Sequence, residues 1–289
     1  MSYGLVLGAG GAAAWVFHTG VIRTLQQDAG FDPTSAELII GTSAGAAVAA
    51  TLRAGRDVAE VFEAATRPPS PEQRSAMLAQ LRAAPKTLRP LSPGLARHAL
   101  PGGRGITLAL AGLIPPGWFP TDWLASFPGM NLLAGWPDGL WIPATRAADG
   151  DVVVFGRDRR DVSVQDAVEA SSAVPGMFRP KVIEGVSFVD GGVTSSTHAE
   201  LLIGSGVNLA IVSAPMAKPS RRVFARQARR RLKAEVASLE RAGIATVVVE
   251  PSAAAMEDAR GFPRRRPEAA AAIADHAVAA TRLALASVG

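Results

Sequence analysis

The chain has 289 residues, 48% of them apolar, and no cysteine. This length is enough for one large hydrophobic core or two modest ones. The lack of cysteine excludes disulfides and thiolate metal sites, which fits a reducing compartment. The net charge is +5, and much of the positive charge lies in a stretch without acids at residues 218–233.

The sequence predicts a cytoplasmic protein that can also lie peripherally on a membrane. Its first seven residues lack the basic region of a signal peptide. The longest apolar run, residues 106–114, is too short to cross a bilayer and stops at two prolines.

The amino-terminal part predicts alternating strands and helices. An apolar strand at 4–7 is followed by a Gly- and Ala-rich loop at 8–12 and a helix at about 13–28. A second strand at 37–40 runs directly into a small-residue helix at 44–53. We therefore predict an α/β fold with a mainly parallel central sheet covered by helices on both faces.

The composition changes between residues 68 and 140. Twelve of the 21 prolines lie there, together with several aromatic residues: Trp118, Phe119, Trp123, Phe127 and Trp136. Proline at this density disfavours central strands and long helices. We predict one domain over 1–289 with an inserted cap at about 68–140. Its aromatic side chains either line an acyl-chain pocket or anchor the cap to the main body.

Sheet-like sequence returns after the cap. Strands are predicted at 140–145, 152–155, 186–189, 209–212 and 245–250, and helices at 164–172, 221–242 and 267–287.

Residues 41–45 read Gly-Thr-Ser-Ala-Gly, which is the pattern G-x-S-x-G. Gly41 and Gly45 permit a strained strand-to-helix turn, and Ser43 then stands at a helix amino terminus that favours negative charge. A strand precedes the pattern and a helix follows it, so we predict Ser43 as a nucleophile. The alternative is an ordinary glycine-rich turn.

The first loop contains Gly8, and we predict that the backbone amides of Gly10, Gly11 and Ala12 form an oxyanion hole. The same loop also satisfies the dinucleotide pattern G-x-G-x-x-G/A. That alternative requires an acidic residue at the end of the second strand, where this chain has Ser43 instead. We expect neither an organic cofactor nor a metal.

A serine hydroxyl needs a neighbour that accepts its proton. Asp190 is predicted to end a strand, just before Gly191 and Gly192, and is the expected base. Among the four histidines, His198 is the only plausible member of a Ser-His-Asp triad and remains the alternative, while His18 lies inside the first helix and is expected to be structural.

Taken together, these motifs resemble the patatin-like phospholipases, a family of Ser-Asp dyad lipid acyl hydrolases. The resemblance covers most of the chain outside 68–140. It rests on five segments in order: the loop 8–12 with His18-Thr19-Gly20-Val21 behind it; 41–45; 142–145 followed by 152–155; 170–180, similar to A-S-x-A-x-P-x-x-F; and the D-G-G at 190–192.

The resemblance implies that Ser43 attacks an ester carbonyl while Asp190 accepts its proton and returns it to the leaving group. Water then releases the acyl chain from Ser43. The implied substrate is a lipid ester, namely a phospholipid, a lysophospholipid or an acylglycerol.

The chain departs from the family pattern in the oxyanion loop, where an Arg-Gly pair is usual. Counting back from Gly20 puts Ala14 and Trp15 at those positions, whereas counting forward from Gly8 puts Ala13 in place of the last glycine. The arginine is absent in either register.

Two other functions stay open at this point. The altered loop and the basic stretch favour a catalytically weak relative that binds lipid or a protein partner, and the glycine-rich loop alone favours a nucleotide-binding oxidoreductase.

Residues 221–233 are a candidate contact with an anionic membrane, or simply a solvated helix face. The cations of this stretch are Lys218, Arg221, Arg222, Arg226, Arg229, Arg230, Arg231 and Lys233. No aromatic residue follows Phe224 among the arginines, so nucleic acid is not an expected partner.

Overall fold

A computed structural model describes residues 2–67, 70–72, 75, 78, 79, 82, 89–100, 105–217, 223–252 and 266–286. The strands are β1 (Tyr3–Leu7), β2 (Leu38–Gly41), β3 (Leu140–Arg146), β4 (Val152–Phe155), β5 (Lys181–Ile183), β6 (Val186–Asp190), β7 (Leu209–Ser213) and β8 (Ala245–Val249). The helices are α1 (Gly11–Asp28), α2 (Ala44–Arg53), α3 (Val58–Thr66), α4 (Ile106–Leu113), α5 (Val164–Ser171), α6 (Val223–Arg241) and α7 (Arg266–Ala286). Short 3-10 helices lie at Pro33–Ser35, Pro93–Ala99, Asp122–Ser126, Met130–Leu132, Gly191–Val193 and Ala199–Leu202.

One mixed sheet of eight strands forms the centre of the protein, in the order β5-β6-β3-β2-β1-β7-β8 with β4 paired to β3 beside this path. The pairs from β3 through β2, β1 and β7 to β8 are all parallel. Strands β4 and β6 run antiparallel to β3, and β5 runs antiparallel to β6. The predicted α/β fold with a mainly parallel sheet is confirmed.

Both faces of the sheet are buried, because successive side chains of a strand point to opposite faces. In β1, Leu5 and Leu7 join the larger core with α1, α2, α3, α5 and α7. Val6 joins a second core that includes α6 and the 3-10 helix Ala199–Leu202. The protein therefore has three layers, with the sheet between two sets of helices.

The described part of 68–140 contains short helices and turns, as its proline content predicts. Phe127 is buried in the larger core, whereas Trp123 is 44% exposed. The aromatic residues of this stretch thus both anchor it and reach the surface. Its role as a cap stays our proposal.

Most predicted strands and helices agree with the structure to within one residue at each end, with larger differences at α1 and β5. Helix α1 begins at Gly11 rather than 13, so Gly11 and Ala12 belong to its first turn and not to the loop. Strand β5, with only three residues, lacks the alternation that predicts a strand and was missed. The predicted start of the basic helix at 221 lies outside the described residues, and α6 is described from Val223.

Helix α7 packs against α1 through small residues. A Cβ atom on Gly20 of α1 would lie 2.7 Å from both the carbonyl oxygen of Ala274 and the Cβ of Ala277. By length and composition, the segment Pro267–Ala286 is also apolar enough to cross a membrane, which is weak evidence for one such helix. In this structure it forms part of the larger core through Ile273.

We expect Gly20→Ala to destabilise the protein by about 1–3 kcal/mol, because the added methyl group overpacks the contact between α1 and α7. Urea unfolding followed by circular dichroism measures this change. Gly135→Ala is the control, since nothing lies within 4 Å of its added Cβ. Equal stability of the two variants would contradict the close helix contact.

Candidate active site

Ser43 stands at a strained turn between β2 and α2. Its backbone has φ 55° and ψ −119°, which is rare for a residue with a side chain. The glycines of the turn are required by close packing: a Cβ on Gly45 would lie 1.9 Å from the carbonyl oxygen of Leu7, and one on Gly41 would lie 2.6 Å from the Cα of Ala46. The turn is therefore pressed against β1.

Ser171, the last residue of α5, fixes the backbone of this turn. The Ser43 N–H donates to Ser171 Oγ over 2.9 Å, and Ser171 Oγ donates to the carbonyl oxygen of Pro143 over 2.7 Å. All three hydrogen-bonding groups are buried, so the loss of this bridge would leave unpaired polar atoms.

The strand register brings Asp190 to Ser43. Ile40 of β2 pairs with Trp141 of β3, so position 43 is level with position 144. Ala144 pairs with Asp190, the last residue of the antiparallel strand β6. The Ser43 Oγ donates a hydrogen bond of 2.6 Å to Asp190 Oδ2, and both side chains are only 5% exposed.

The second carboxylate oxygen of Asp190 is held by the backbone. Gly192 N–H donates to Oδ1 over 2.6 Å. Gly191 is required because a Cβ there would lie 2.4 Å from the carbonyl oxygen of Pro143. Burial raises the pKa of Asp190 to about 6, while the hydrogen bonds from Ser43 and Gly192 act in the opposite direction. Such a carboxylate can accept the proton of a hydroxyl as its oxygen attacks.

The amino terminus of α1 lines the same cavity as Ser43 and Asp190. No side chain caps this helix, and its first N–H groups have no partner within the helix. They include those of Gly11 and Ala12, after the cap residue Gly10. Free N–H groups at a helix start can bind an oxygen that carries negative charge. Gly8 supports the loop, since its N–H donates to the carbonyl oxygen of Ser213 over 2.9 Å.

His18 is buried and connects α1 to the ends of β1 and β7. Its Nε2 lies 2.8 Å from the carbonyl oxygen of Gly8 and its Nδ1 lies 2.8 Å from Ser213 Oγ. The carbonyl can only accept, so Nε2 carries the proton and Nδ1 accepts from the serine. Burial lowers the pKa of His18 to about 4, which keeps the ring neutral.

His198 does not hydrogen-bond to Ser43 or Asp190. Its Nε2 lies 3.1 Å from the carbonyl oxygen of Gly191 and 3.4 Å from Thr194 Oγ1. Burial lowers the pKa of this histidine as well. The ring thus supports the turn that follows Asp190, and this arrangement does not favour the triad alternative.

A cavity of about 1330 Å³ opens above Ser43, lined mostly by apolar groups. Trp15 lines the cavity and also packs against the larger core, with its ring 4.9 Å from that of Phe127 and 5.7 Å from that of Trp123 between centroids. The indole Nε1 of Trp15 is buried, with no hydrogen-bond partner among the described residues. Residues within 107–127 therefore line one side of the cavity.

Sequence reasoning missed two supporting groups, the hydroxyl of Ser171 and the carboxylate of Glu235. Ser171 belongs to the segment 170–180, so its motif was visible although its contacts were not. Glu235 lies on α6, is 2% exposed, and accepts from Ser195 and Thr197. Within the described ranges, no group of three or more His, Asp or Glu side chains is placed to hold a metal ion.

Comparisons with known proteins identify the family of the chain and its fold. The family model described as Patatin-like phospholipase matches residues 5–203. Among solved structures, VipD from Legionella pneumophila is 16% identical with a TM-score of 0.50, and the match covers 99% of this chain and 66% of VipD. The type III effector protein ExoU is 16% identical with a TM-score of 0.42, covering 98% of this chain and 53% of ExoU. None of the curated proteins compared with the chain matches it.

Proposed function

Because the chain belongs to the patatin-like phospholipase family, we propose that it cleaves carboxylic ester bonds of lipids through Ser43 and Asp190. The family itself is one of lipid acyl hydrolases. The observation that carries the finer proposal is the 2.6 Å hydrogen bond between Ser43 Oγ and Asp190 Oδ2 at a strained turn.

In the proposed reaction, Ser43 Oγ attacks the ester carbonyl carbon while its proton passes to Asp190 Oδ2. The tetrahedral intermediate collapses, and Asp190 returns the proton to the departing alcohol. Water then loses a proton to Asp190 and attacks the acyl-serine, and Asp190 returns that proton to Ser43 Oγ as the fatty acid leaves. The strained turn supports this role, because it holds the hydroxyl clear of its own backbone.

We assign the oxyanion hole to the N–H groups of Gly10, Gly11 and Ala12. Two features support this assignment: these residues line the cavity beside Ser43, and no side chain caps the helix that they begin. Preorganised donors of this kind stabilise the charge that develops on the carbonyl oxygen. They would do so without the arginine that is usual in the family.

The substrate class is supported by the cavity, whose wall beside Ser43 is largely apolar and includes Trp15 and Phe127. An acyl chain lying there would remove apolar surface from water. Phospholipid, lysophospholipid and acylglycerol esters all offer such a chain.

A fluorophosphonate probe tests the nucleophile. We expect labelling of the wild-type protein and none of Ser43→Ala, because the probe reacts with an activated serine. Asp190→Asn should lower the labelling rate by about 100-fold or more, since it removes the general base. The readout is mass spectrometry of the labelled peptide.

Ser205→Ala is the matched control, because its hydroxyl donates to the carbonyl oxygen of Leu202 and has no other hydrogen bond among the described residues. It should be labelled like the wild type. An unlabelled wild-type protein would favour the alternative of a catalytically weak lipid- or partner-binding relative. Labelling that persists in Ser43→Ala would refute the proposed nucleophile.

The pH dependence follows from the raised pKa of Asp190. Only the ionised carboxylate can accept the proton, so kcat/KM should rise with pH through about 6 and level off above it. One unit below this pKa, the value should be about 10-fold lower. Initial rates with a soluble acyl ester measure the profile.

An ordinary histidine titrates in the same range, so the profile is also measured for His198→Asn. We expect its midpoint to stay near 6 even if the rate falls. A midpoint that disappears in this variant would instead identify His198 as the base.

We further propose that α6 contacts an anionic membrane surface. Arg229 and Arg231 are paired with acids, whereas Arg226 and Arg230 are exposed and form no ion pair with another described residue. These two exposed cations are four residues apart and therefore lie on one side of the helix. Lys218, Arg221 and Arg222 of the basic stretch lie outside the described residues.

The combined change Arg226→Gln and Arg230→Gln should weaken binding to phosphatidylserine-containing vesicles by up to about 30-fold at low salt, at about 1 kcal/mol per cation. Co-sedimentation at two salt concentrations measures it. Arg23→Gln with Arg160→Gln removes the same charge from other exposed positions and should have a smaller effect. Binding that ignores both salt and anionic lipid would contradict this proposal.

A further inference from the structure

The buried carboxylate of Glu235 accepts four hydrogen bonds, two at each of its oxygen atoms. Its Oε1 accepts from Ser195 Oγ at 2.5 Å and from Arg231 Nε at 3.1 Å. Its Oε2 accepts from Thr197 Oγ1 at 2.5 Å and from the Ala199 N–H at 3.0 Å. Three of these donors belong to residues 195–199, which we call the support segment.

The support segment is organised around the hydroxyl of Ser195. That hydroxyl donates to Glu235, so its lone pairs can accept from the N–H groups of Thr197 and His198, at 3.2 and 3.1 Å. His198 has a left-handed backbone, with φ 54°, which a residue with a side chain rarely adopts. The carboxylate therefore helps to hold a turn that is unfavourable by itself.

The support segment contacts the proposed active site at two places. The Ser196 carbonyl oxygen accepts from the Ala9 N–H over 2.7 Å, one residue before the proposed oxyanion donors. The His198 ring bonds to the carbonyl oxygen of Gly191, one residue after Asp190. One segment thus supports both the loop that carries the donors and the turn that carries the base.

Glu235 lies outside residues 5–203, the part of the chain that matches the family model. We propose that Glu235 is a positioning residue for the Ser43–Asp190 reaction, acting through the support segment on the oxyanion loop and on the turn after Asp190. This inference rests on the proposed function. A misplacement of about 1 Å can cost a catalytic site 100-fold in rate.

The test compares Glu235→Gln with wild type. Glutamine keeps the size of the side chain but replaces one acceptor oxygen by an NH₂ group, which cannot accept from the Ala199 N–H or from Arg231 Nε and forces the neighbouring hydroxyl of Thr197 or Ser195 to reverse. We expect kcat and the phosphonylation rate of Ser43 to fall at least 10-fold, with KM changed less than 2-fold. Thr197→Val removes one of the hydroxyl donors to Glu235 and should act similarly. In the double variant, the fold decrease in kcat should be smaller than the product of the two single decreases.

Hydrogen exchange tests the geometry without any activity. In Glu235→Gln, amides of residues 8–12 and 190–199 should exchange faster than in wild type. Two control variants lie on the same helix. Glu240→Gln makes the same chemical change at an exposed position, and Leu239→Ala removes buried apolar volume. Neither should lower kcat of the folded protein or speed exchange selectively at residues 8–12.

Unchanged exchange at 8–12 and 190–199 in Glu235→Gln overturns the inference. So does faster exchange with kcat within 2-fold of wild type, because the carboxylate would then be only structural. A wild-type protein that the probe does not label fails the proposed function instead, and the catalytic part of this inference with it. Faster exchange that is confined to these two segments, together with lower kcat, supports the inference.

Discussion

The geometry of the site depends on one hydrogen bond of 2.6 Å between Ser43 and Asp190, which are 147 residues apart. It forms because β6 runs antiparallel beside β3 and ends level with the turn after β2. The same turn is held against β1 by a glycine whose replacement would meet Leu7. Sheet register and backbone contact distance together set where the hydroxyl and the carboxylate meet.

The two buried histidines near the site illustrate how burial assigns roles. His18 and His198 each place a ring nitrogen on a backbone carbonyl, and burial lowers the pKa of both. Burial acts oppositely on a carboxyl group and raises the pKa of Asp190. Desolvation therefore favours the neutral form of the two histidine rings, which support the backbone. It also makes the Asp190 carboxylate beside Ser43 more basic.

Sequence patterns predicted those features of the fold and the site that depend on residues close together in the chain. The strand-turn-helix context of Ser43 and the mainly parallel sheet follow from apolar runs and glycine positions. The start of α1 was two residues off: Gly11 is exposed and has a φ of 66°, a left-handed conformation that glycine adopts readily at the start of the helix. The link between Glu235 and the support segment had no local signal, since those partners lie 36 to 40 residues earlier. The roles of Ser43, Asp190 and the loop amides remain predictions that the geometry supports.

The position of β1 between β2 and β7 has a consequence for synthesis of the chain. One edge of β1 pairs with residues 38–41, but the other pairs with 209–213. Translation proceeds at about 5–20 residues per second, so β7 leaves the ribosome roughly 10 to 40 s after β1. During that interval β1 has a free, apolar edge of the kind that promotes strand addition by other chains. The nascent protein therefore passes through a stage in which protection by a chaperone would matter most.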